Sequence, residues 1–314
     1  MFQKNTDAWS LAAWLIVAAS APFALLAGKQ DWIGLTVAAV LTGAFCFLVT
    51  GRKAGRALSS RWYCAVQFVF LIPMLAYFAS WSQDAWPTGG DFPVVPLTLL
   101  SLAVLSSWHG AQCASRVGAV LFWLIAGLYG VLLTFGSKDL HIHYLMPQYE
   151  PASMEAMLVL LLPAIVQFIP REMKPEIRLT STFIGVLFVV LSVWTVCALS
   201  APVAMQIQWP FYEAGKSISV LGIAERLESF ISVAVTVGCF ALFSLLLSAS
   251  GHLAEVVRPG WGRYGVIAAG AAAASLMLSQ LQISTVFLLF GAVLLWGLLP
   301  VLTGLFFNEK KSKK

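Results

Sequence analysis

Ten apolar segments run through the chain, each close to the ~20 residues that an α-helix needs to cross the hydrocarbon of a bilayer. In order, spans 1 to 10 cover residues 11–28, 31–50, 62–82, 93–109, 117–135, 154–170, 178–200, 223–249, 263–281 and 284–306. Hydrophobic residues make up 60% of the sequence and charged residues 11%, which leaves no segment of ordinary soluble composition. The sequence therefore predicts an all-α integral membrane protein with ten transmembrane helices.

Basic residues between the spans predict which side each loop faces. An even number of spans places both termini on one side, and short loops rich in Lys and Arg stay in the cytoplasm. Of the 19 Lys and Arg, fifteen share the side of the termini, and the other four are Lys29, Lys138, Lys216 and Arg226. We therefore expect a multi-pass protein of the cell membrane with both termini cytoplasmic. Since the net charge of +5 follows from topology, binding to nucleic acid is not expected.

The ten spans divide into two halves of five with opposite orientation. A single membrane domain over 1–314 would contain repeat 1 at about 8–140 and repeat 2 at about 150–307, followed by a basic cytoplasmic tail at 308–314. In such inverted repeats, a Pro or Gly break at corresponding positions points to the binding site. Spans 1 and 6 are counterparts under this division.

Both counterpart spans carry a proline near the middle, Pro22 in span 1 and Pro163 in span 6. A proline removes one helical hydrogen bond and displaces a carbonyl, which then needs a polar partner within the membrane. A bound solute can be that partner, so we expect broken helices at both places. An ordinary proline kink is the alternative, and Pro73 in span 3 shows that prolines are not confined to the counterpart spans.

Polar side chains inside the spans are the remaining candidates for ligand contact. The deeper ones include Ser20, Gln67, Tyr77, Gln167, Ser229, Ser232 and Thr236. Each is more often an interhelical hydrogen bond than a ligand contact, although together they could line one cavity. Ionisable residues are absent from the middle of the predicted spans, so proton coupling through a central titratable group is not indicated, whereas sodium coupling stays open.

A charged cluster lies at the outer end of span 8. Glu225 and Glu228 are three residues apart and share a helical face, with Arg226 beside them. The cluster could gate an outward-facing vestibule. A solvated helix start at the interface is the alternative.

Histidines and catalytic motifs give no sign of an enzyme. His141 and His143 form an H-x-H pair, but no other His or Cys falls on that side, so we expect neither a metal site nor a cofactor. His109 and His252 flank cytoplasmic loops and are interpreted as interfacial residues. Without a nucleophile elbow, a phosphate-binding glycine loop or a paired-acid motif, catalysis is not expected.

The entry to span 8 is more specific than the rest of the sequence. Trp209-Pro210, Ile218-Ser219 and then Ile223-Ala224-Glu225-Arg226-Leu227-Glu228-Ser229-Phe230 resemble the corresponding stretch of the B subunit of spore germinant receptors. These proteins belong to the amino acid/polyamine/organocation permease superfamily. Ala27-Gly28-Lys29-Gln30-Asp31-Trp32 after span 1 and Leu145-Met146-Pro147 before span 6 look like further parts of that family's pattern.

The resemblance implies a LeuT-like permease fold, a five-plus-five inverted repeat with a central pocket between spans 1, 3, 6 and 8. Ser20, Ala21 and Pro22, together with Pro163, would contact a small nutrient such as an amino acid, and the span 8 cluster would lie at the outer mouth. In that family the B subunit senses the ligand in the spore inner membrane, within a complex that contains a second membrane subunit and a lipoprotein.

Three hypotheses follow for function. The leading one is a spore germination receptor subunit that senses a small nutrient, and the nearest alternative is an active amino acid transporter of the same fold. A structural membrane subunit without a ligand is the third, favoured if Ser20 and Gln167 pack tightly against neighbouring helices.

Overall fold

The computed structural model describes residues 2–49, 60–85, 93–137, 140–145, 149–169, 177–217 and 228–300, and these residues form α-helices without a β-strand. The helices are α1 (Phe2–Leu26), α2 (Trp32–Val49), α3 (Arg61–Ala85), α4 (Val94–Trp108), α5 (Ala111–Gly136), α6 (Met154–Leu160), α7 (Ile177–Leu199), α8 (Ala201–Gln206), α9 (Pro210–Ser217), α10 (Glu228–Val257), α11 (Gly262–Leu278) and α12 (Thr285–Ala292). Short 3₁₀ helices cover Ile142–Tyr144 and Leu162–Phe168, and a π-helical turn, Val293–Leu298, extends α12.

Six of the described helices, α1, α2, α3, α5, α7 and α10, are long and apolar enough to cross a bilayer. Three more apolar segments are shorter, namely α4, α11 and α12 with its π turn. Multi-pass membrane character is thereby confirmed. The count of ten spans and the inverted repeat stay predictions.

Helices α1 and α10 form the centre of the bundle. The membrane-crossing window of α1 is 89% buried, compared with 22% for α2 and for α5. Helix α10 packs against α1, α3, α4, α5 and α11, and α1 packs mainly against α10 and α5. On α2, the side chains of Val40, Leu41 and Leu48 remain exposed, as expected of a surface that faces lipid.

Loops gather at two opposite ends of the bundle. At the predicted outer end, the Gln30 amide donates to the Ser153 hydroxyl at 2.9 Å and accepts from the Ser153 backbone N–H at 2.7 Å. At the same end, the His141 backbone N–H donates to the Cys197 carbonyl at 3.0 Å. These bonds tie the loop after α1 to the start of α6, and the segment before α6 to the end of α7. The corners between α4 and α5 and between α10 and α11 meet at the other end.

The helix break predicted in span 6 is present at Pro163. Helix α6 begins with a cap, in which the Ser153 hydroxyl accepts the Ala156 N–H at 3.3 Å. After Leu160 the chain continues as the 3₁₀ helix Leu162–Phe168, where the Ala164 N–H donates to the Leu161 carbonyl at 2.9 Å. Pro163 cannot donate to the carbonyl four residues earlier, and its ring would press on that carbonyl, so the α-helical pattern stops here.

The break predicted in span 1 is wrong, because α1 is one continuous helix that contains Pro22. Pro22 lies only four residues before the helix ends, and its neighbours are held by packing on both sides. Phe23 stacks on Phe188 with ring centroids 4.5 Å apart, and the Tyr129 hydroxyl donates to the Ser20 carbonyl at 2.9 Å. These contacts hold the segment helical despite the missing hydrogen bond.

Candidate ligand site

Ser20 and Ala21 lie at the tightest contact between α1 and α10. Both residues are fully buried, and the Ser20 hydroxyl donates back to the Val17 carbonyl at 2.6 Å. Gly238 of α10 faces them so closely that a β-carbon there would lie 2.7 Å from both the Ala21 Cβ and the Ser20 Oγ. Small residues allow this approach, as at many interfaces between membrane helices. The Ser20 part of the predicted site is therefore closed by packing.

Gln167 is buried in a different way. It lies one turn after Pro163 in the 3₁₀ helix, with 2% of its surface exposed. Neither its amide nitrogen nor its amide oxygen has a hydrogen-bond partner among the described residues. The next residue, Phe168, packs edge-on against Trp296 with centroids 6.1 Å apart, and the Trp296 indole N–H is likewise unpaired within the described residues. Buried amide groups are normally hydrogen-bonded, so an amide with both its nitrogen and its oxygen unpaired is unusual.

Gln67 is directed to span 10. Its amide nitrogen donates to the Leu295 carbonyl at 2.9 Å, and the Tyr63 hydroxyl donates to the same carbonyl at 2.9 Å. Leu295 lies in the π-helical turn, where the altered hydrogen-bond pattern makes carbonyls available to side chains. The Gln67 amide oxygen has no partner among the described residues. The Gln67 amide nitrogen therefore links α3 to the π-helical turn that follows α12.

Tyr77 also fastens α3 to span 10, at the predicted outer end. Its hydroxyl shares a 2.9 Å hydrogen bond with the Thr285 hydroxyl, at the start of α12. The Glu155 carboxylate of α6 lies within electrostatic range of Tyr77. The structure therefore places Tyr77 at a junction of α3, α6 and α12.

The structure describes the positions of some of the other candidate residues but not of all of them. Pro22 and Pro163 are buried, whereas Ser232 is half-buried on α10, and its carbonyl accepts the Thr236 hydroxyl at 2.8 Å. Glu225 and Arg226 lie outside the described residues. The backbone of Glu228 begins α10. A gate at this position stays a prediction.

Two stretches of the resemblance pattern meet in space, which the sequence did not reveal. The Lys29 ammonium lies 5.1 Å from the centre of the Trp209 ring, in a cation–π contact. Gly28 has a φ of +88°, and a β-carbon there would lie 2.5 Å from Thr195 Cγ2 and 3.1 Å from the Pro210 Cβ. The turn after α1 therefore needs glycine for its backbone conformation and for space.

Lys29 is electrostatically perturbed at this outer corner. Burial lowers the pKa of its ammonium group from the ordinary value, and the nearby Glu155 carboxylate opposes part of that shift. Glu155 thus lies within electrostatic range of both Lys29 and Tyr77. The Lys29 ammonium from the loop after α1, the Glu155 carboxylate of α6 and the Tyr77 phenol of α3 therefore lie near one another at this corner.

The H-x-H pair takes part in local ring packing. His141 and His143 have ring centroids 5.3 Å apart, and both contact the Tyr144 ring. Among the described residues, no group of three potential metal-binding side chains occurs.

Comparison with known proteins places the chain in a family. The sequence profile described as spore germination protein matches residues 91–257, more than half of the chain. The chain belongs to this family. No curated protein matches the chain. The matched part of this germination-family protein runs from the start of α4 to the end of α10 and includes the break at Pro163. This match confirms the resemblance to spore germination proteins at family level. The family is of the permease type and is not an enzyme family.

Proposed function

We propose that this germination-family protein is a receptor subunit that senses a small nutrient such as an amino acid. The ligand would bind beside the 3₁₀ helix Leu162–Phe168, with Gln167 as its principal polar contact. The observation that carries this proposal is the buried, unpaired amide of Gln167 directly after the Pro163 break.

The chemistry of Gln167 suits such a ligand. An unpaired buried amide loses its hydrogen bonds to water, which costs about 1–3 kcal/mol for each unsatisfied group. Its nitrogen can donate to a carboxylate and its oxygen can accept from an ammonium, the two charged groups of an amino acid. The 3₁₀ helix packs against α10, α7 and α1, so a ligand there would touch the central helices of the bundle.

The hypothesis of a structural subunit without a ligand expects both Ser20 and Gln167 to be tightly packed, and only Ser20 meets that expectation. Ser20 is tightly packed, with its hydroxyl and its carbonyl both engaged. Gln167 is buried without partners among the described residues, and a purely structural interior would be more stable with an apolar side chain there. This difference favours a ligand at the span 6 half of the predicted pocket.

The substitution Gln167→Leu separates binding from folding. Leucine has a similar size and removes the unpaired amide, so the variant should melt at the same temperature as the wild type or higher without ligand. We expect amino acids that raise the melting temperature of the wild type to have no effect on Q167L. A ligand shift of wild-type size in Q167L would contradict the proposal. If no amino acid shifts the wild type, the ligand class is wrong.

Uptake distinguishes sensing from transport. Wild-type protein in liposomes should bind the stabilising compound without accumulating it, because a sensor does not complete the alternating cycle. Concentrative uptake that Q167L abolishes would assign the same pocket to an active amino acid transporter. Co-purification of a second membrane subunit and a lipoprotein would test the assembly that we propose by analogy with the germinant receptors.

A further inference from the structure

A cavity of about 670 Å³ opens at the end of the bundle opposite to Lys29. It lies between the α4–α5 corner, the last turns of α10 and the α10–α11 corner, on the side predicted to be cytoplasmic. Its volume is in the range of small-molecule sites. The polar and aromatic lining residues include Ser248, His252 and Glu255 from α10, His109 from the α4–α5 corner, and Arg263 and Tyr264 from α11.

Two helix N-termini converge on this cavity. Helix α5 begins at Ala111 after Gly110, whose φ is +92°, and no side chain caps this end. Helix α11 begins at Gly262, and both Gly110 and Gly262 line the cavity. The N-terminus of a helix carries a partial positive charge and N–H groups without a helical partner. At α11 the Glu255 carboxylate already accepts the Gly262 N–H, so the start of α5, which no side chain caps, is the end that favours an added anion.

The cavity is lined by one acidic and one basic side chain, Glu255 and Arg263. The Glu255 carboxylate is occupied, because its two oxygens accept the backbone N–H groups of Gly260 and Gly262 at 2.8 Å each. The Arg263 guanidinium, by contrast, has no hydrogen-bond or ion-pair partner among the described residues, and His109 has none for its ring. The Glu255 carboxylate keeps its negative charge, but the exposed Arg263 guanidinium gives the cavity a cationic donor that no described protein group uses.

Ser248 gives an independent indication of a ligand. It lines the cavity with 4% of its surface exposed, and its hydroxyl has no partner among the described residues. Buried hydroxyls are normally hydrogen-bonded. A phosphate oxygen would accept from this group.

The position of the cavity indicates where the phosphate comes from. Trp108 and Tyr264 line it and are 36% and 66% exposed, at the helix ends where amphipathic aromatics lie in the headgroup layer. Basic pockets between membrane helices on the cytoplasmic side suit anionic lipid headgroups. We propose that this cavity binds the phosphate headgroup of an anionic phospholipid, at a site separate from the nutrient pocket.

A lipid titration on the full chain tests the proposal. Protein in a neutral detergent would be titrated with dioctanoyl phosphatidylglycerol, dioctanoyl phosphatidylcholine and glycerol phosphate, with bound molecules counted by native mass spectrometry. We expect phosphatidylglycerol to bind more tightly than the other two. Arg263→Gln should weaken phosphatidylglycerol binding by about tenfold or more, since a charge-assisted hydrogen bond is lost.

Arg258→Gln is the matched control. Arg258 lies five residues away, and its guanidinium covers the Trp261 ring at 4.4 Å without lining the cavity. R258Q should bind phosphatidylglycerol as the wild type does. Equal losses in R263Q and R258Q, or wild-type binding by R263Q, would overturn the site. Equal binding of phosphatidylcholine would overturn the choice of an anionic headgroup, and equal binding of glycerol phosphate would overturn the lipid as the source.

Discussion

The contact between Gly238 and α1 gives the sharpest test of the packing at the centre of the bundle. In Gly238→Ala, the new β-carbon would lie 2.7 Å from the Ala21 Cβ and 2.8 Å from the Ala21 backbone nitrogen. Carbon atoms in contact are normally about 3.5–4.0 Å apart, so α10 must move away from α1 by roughly 1 Å. The backbone atom cannot rotate aside, and such overpacking costs about 1–3 kcal/mol.

Gly127→Ala is the matched control for this substitution. Gly127 lies in α5, and a β-carbon there would meet nothing within 4 Å. Alanine is better than glycine in a helix by about 1 kcal/mol at both positions, so the difference between the two variants isolates the overpacking cost. At about 2–4 °C per kcal/mol, G238A should melt roughly 2–12 °C below G127A.

Tryptophan fluorescence during thermal unfolding in detergent measures this difference. Twelve tryptophans make the signal strong, and the method needs no thiol probe, which would react with the exposed Cys113. If G238A melts at the temperature of G127A, then α1 and α10 do not approach as closely as described, and the argument that the Ser20 half of the pocket is closed fails.

Further predictions concern the same helix contact and the outer corner. Tyr129→Phe removes a buried hydrogen bond and should lower the free energy of unfolding by about 1 kcal/mol in the same melting assay, whereas an unchanged melting temperature would deny that bond a role. Gly28→Ala and Gly260→Ala place alanine at nearly the same positive φ, +88° and +86°, which costs about 1–2 kcal/mol, but only Gly28 is also crowded. G28A should therefore melt lower than G260A, and equal melting temperatures would contradict the crowding. Glu155→Gln should lower the pKa of Lys29 further, because the carboxylate opposes the effect of burial. The pKa of Lys29 is lower in the folded protein than in the unfolded chain, so its contribution to the free energy of unfolding rises with pH between these two values. In E155Q this rise should begin at a lower pH, because the folded-state pKa is lower. The pH profile of Lys29 acetylation, read by mass spectrometry, measures the shift, and a higher pKa in E155Q would contradict it.

The family and the multi-pass membrane character could be predicted from the sequence, because hydropathy and the pattern before span 8 are local properties. The difference between Pro22 and Pro163 could not. Both prolines are in apolar helices at matching places, yet one helix continues and the other changes to 3₁₀ geometry. What separates them is packing from distant residues, since Tyr129 lies 109 residues from Ser20 in the chain.

The polar candidates divide for the same reason. Gln67, Tyr77 and Gln167 look alike in sequence, each a polar residue within an apolar span. Gln67 and Tyr77 find partners 228 and 208 residues away, in the π turn and at the start of α12, whereas Gln167 finds none among the described residues. Hydrogen-bond partners at such separations depend on tertiary arrangement, which one sequence does not contain.

The two proposed sites share one structural element, α10. Near its middle, Gly238 touches Ser20 and Ala21, and ten residues further along, Ser248 lines the cavity at the other end. Ten helical residues span about 15 Å. The 3₁₀ helix that carries Gln167 also packs against α10. A nutrient bound beside Gln167 and a lipid headgroup in the cavity would therefore lie against the same helix, α10.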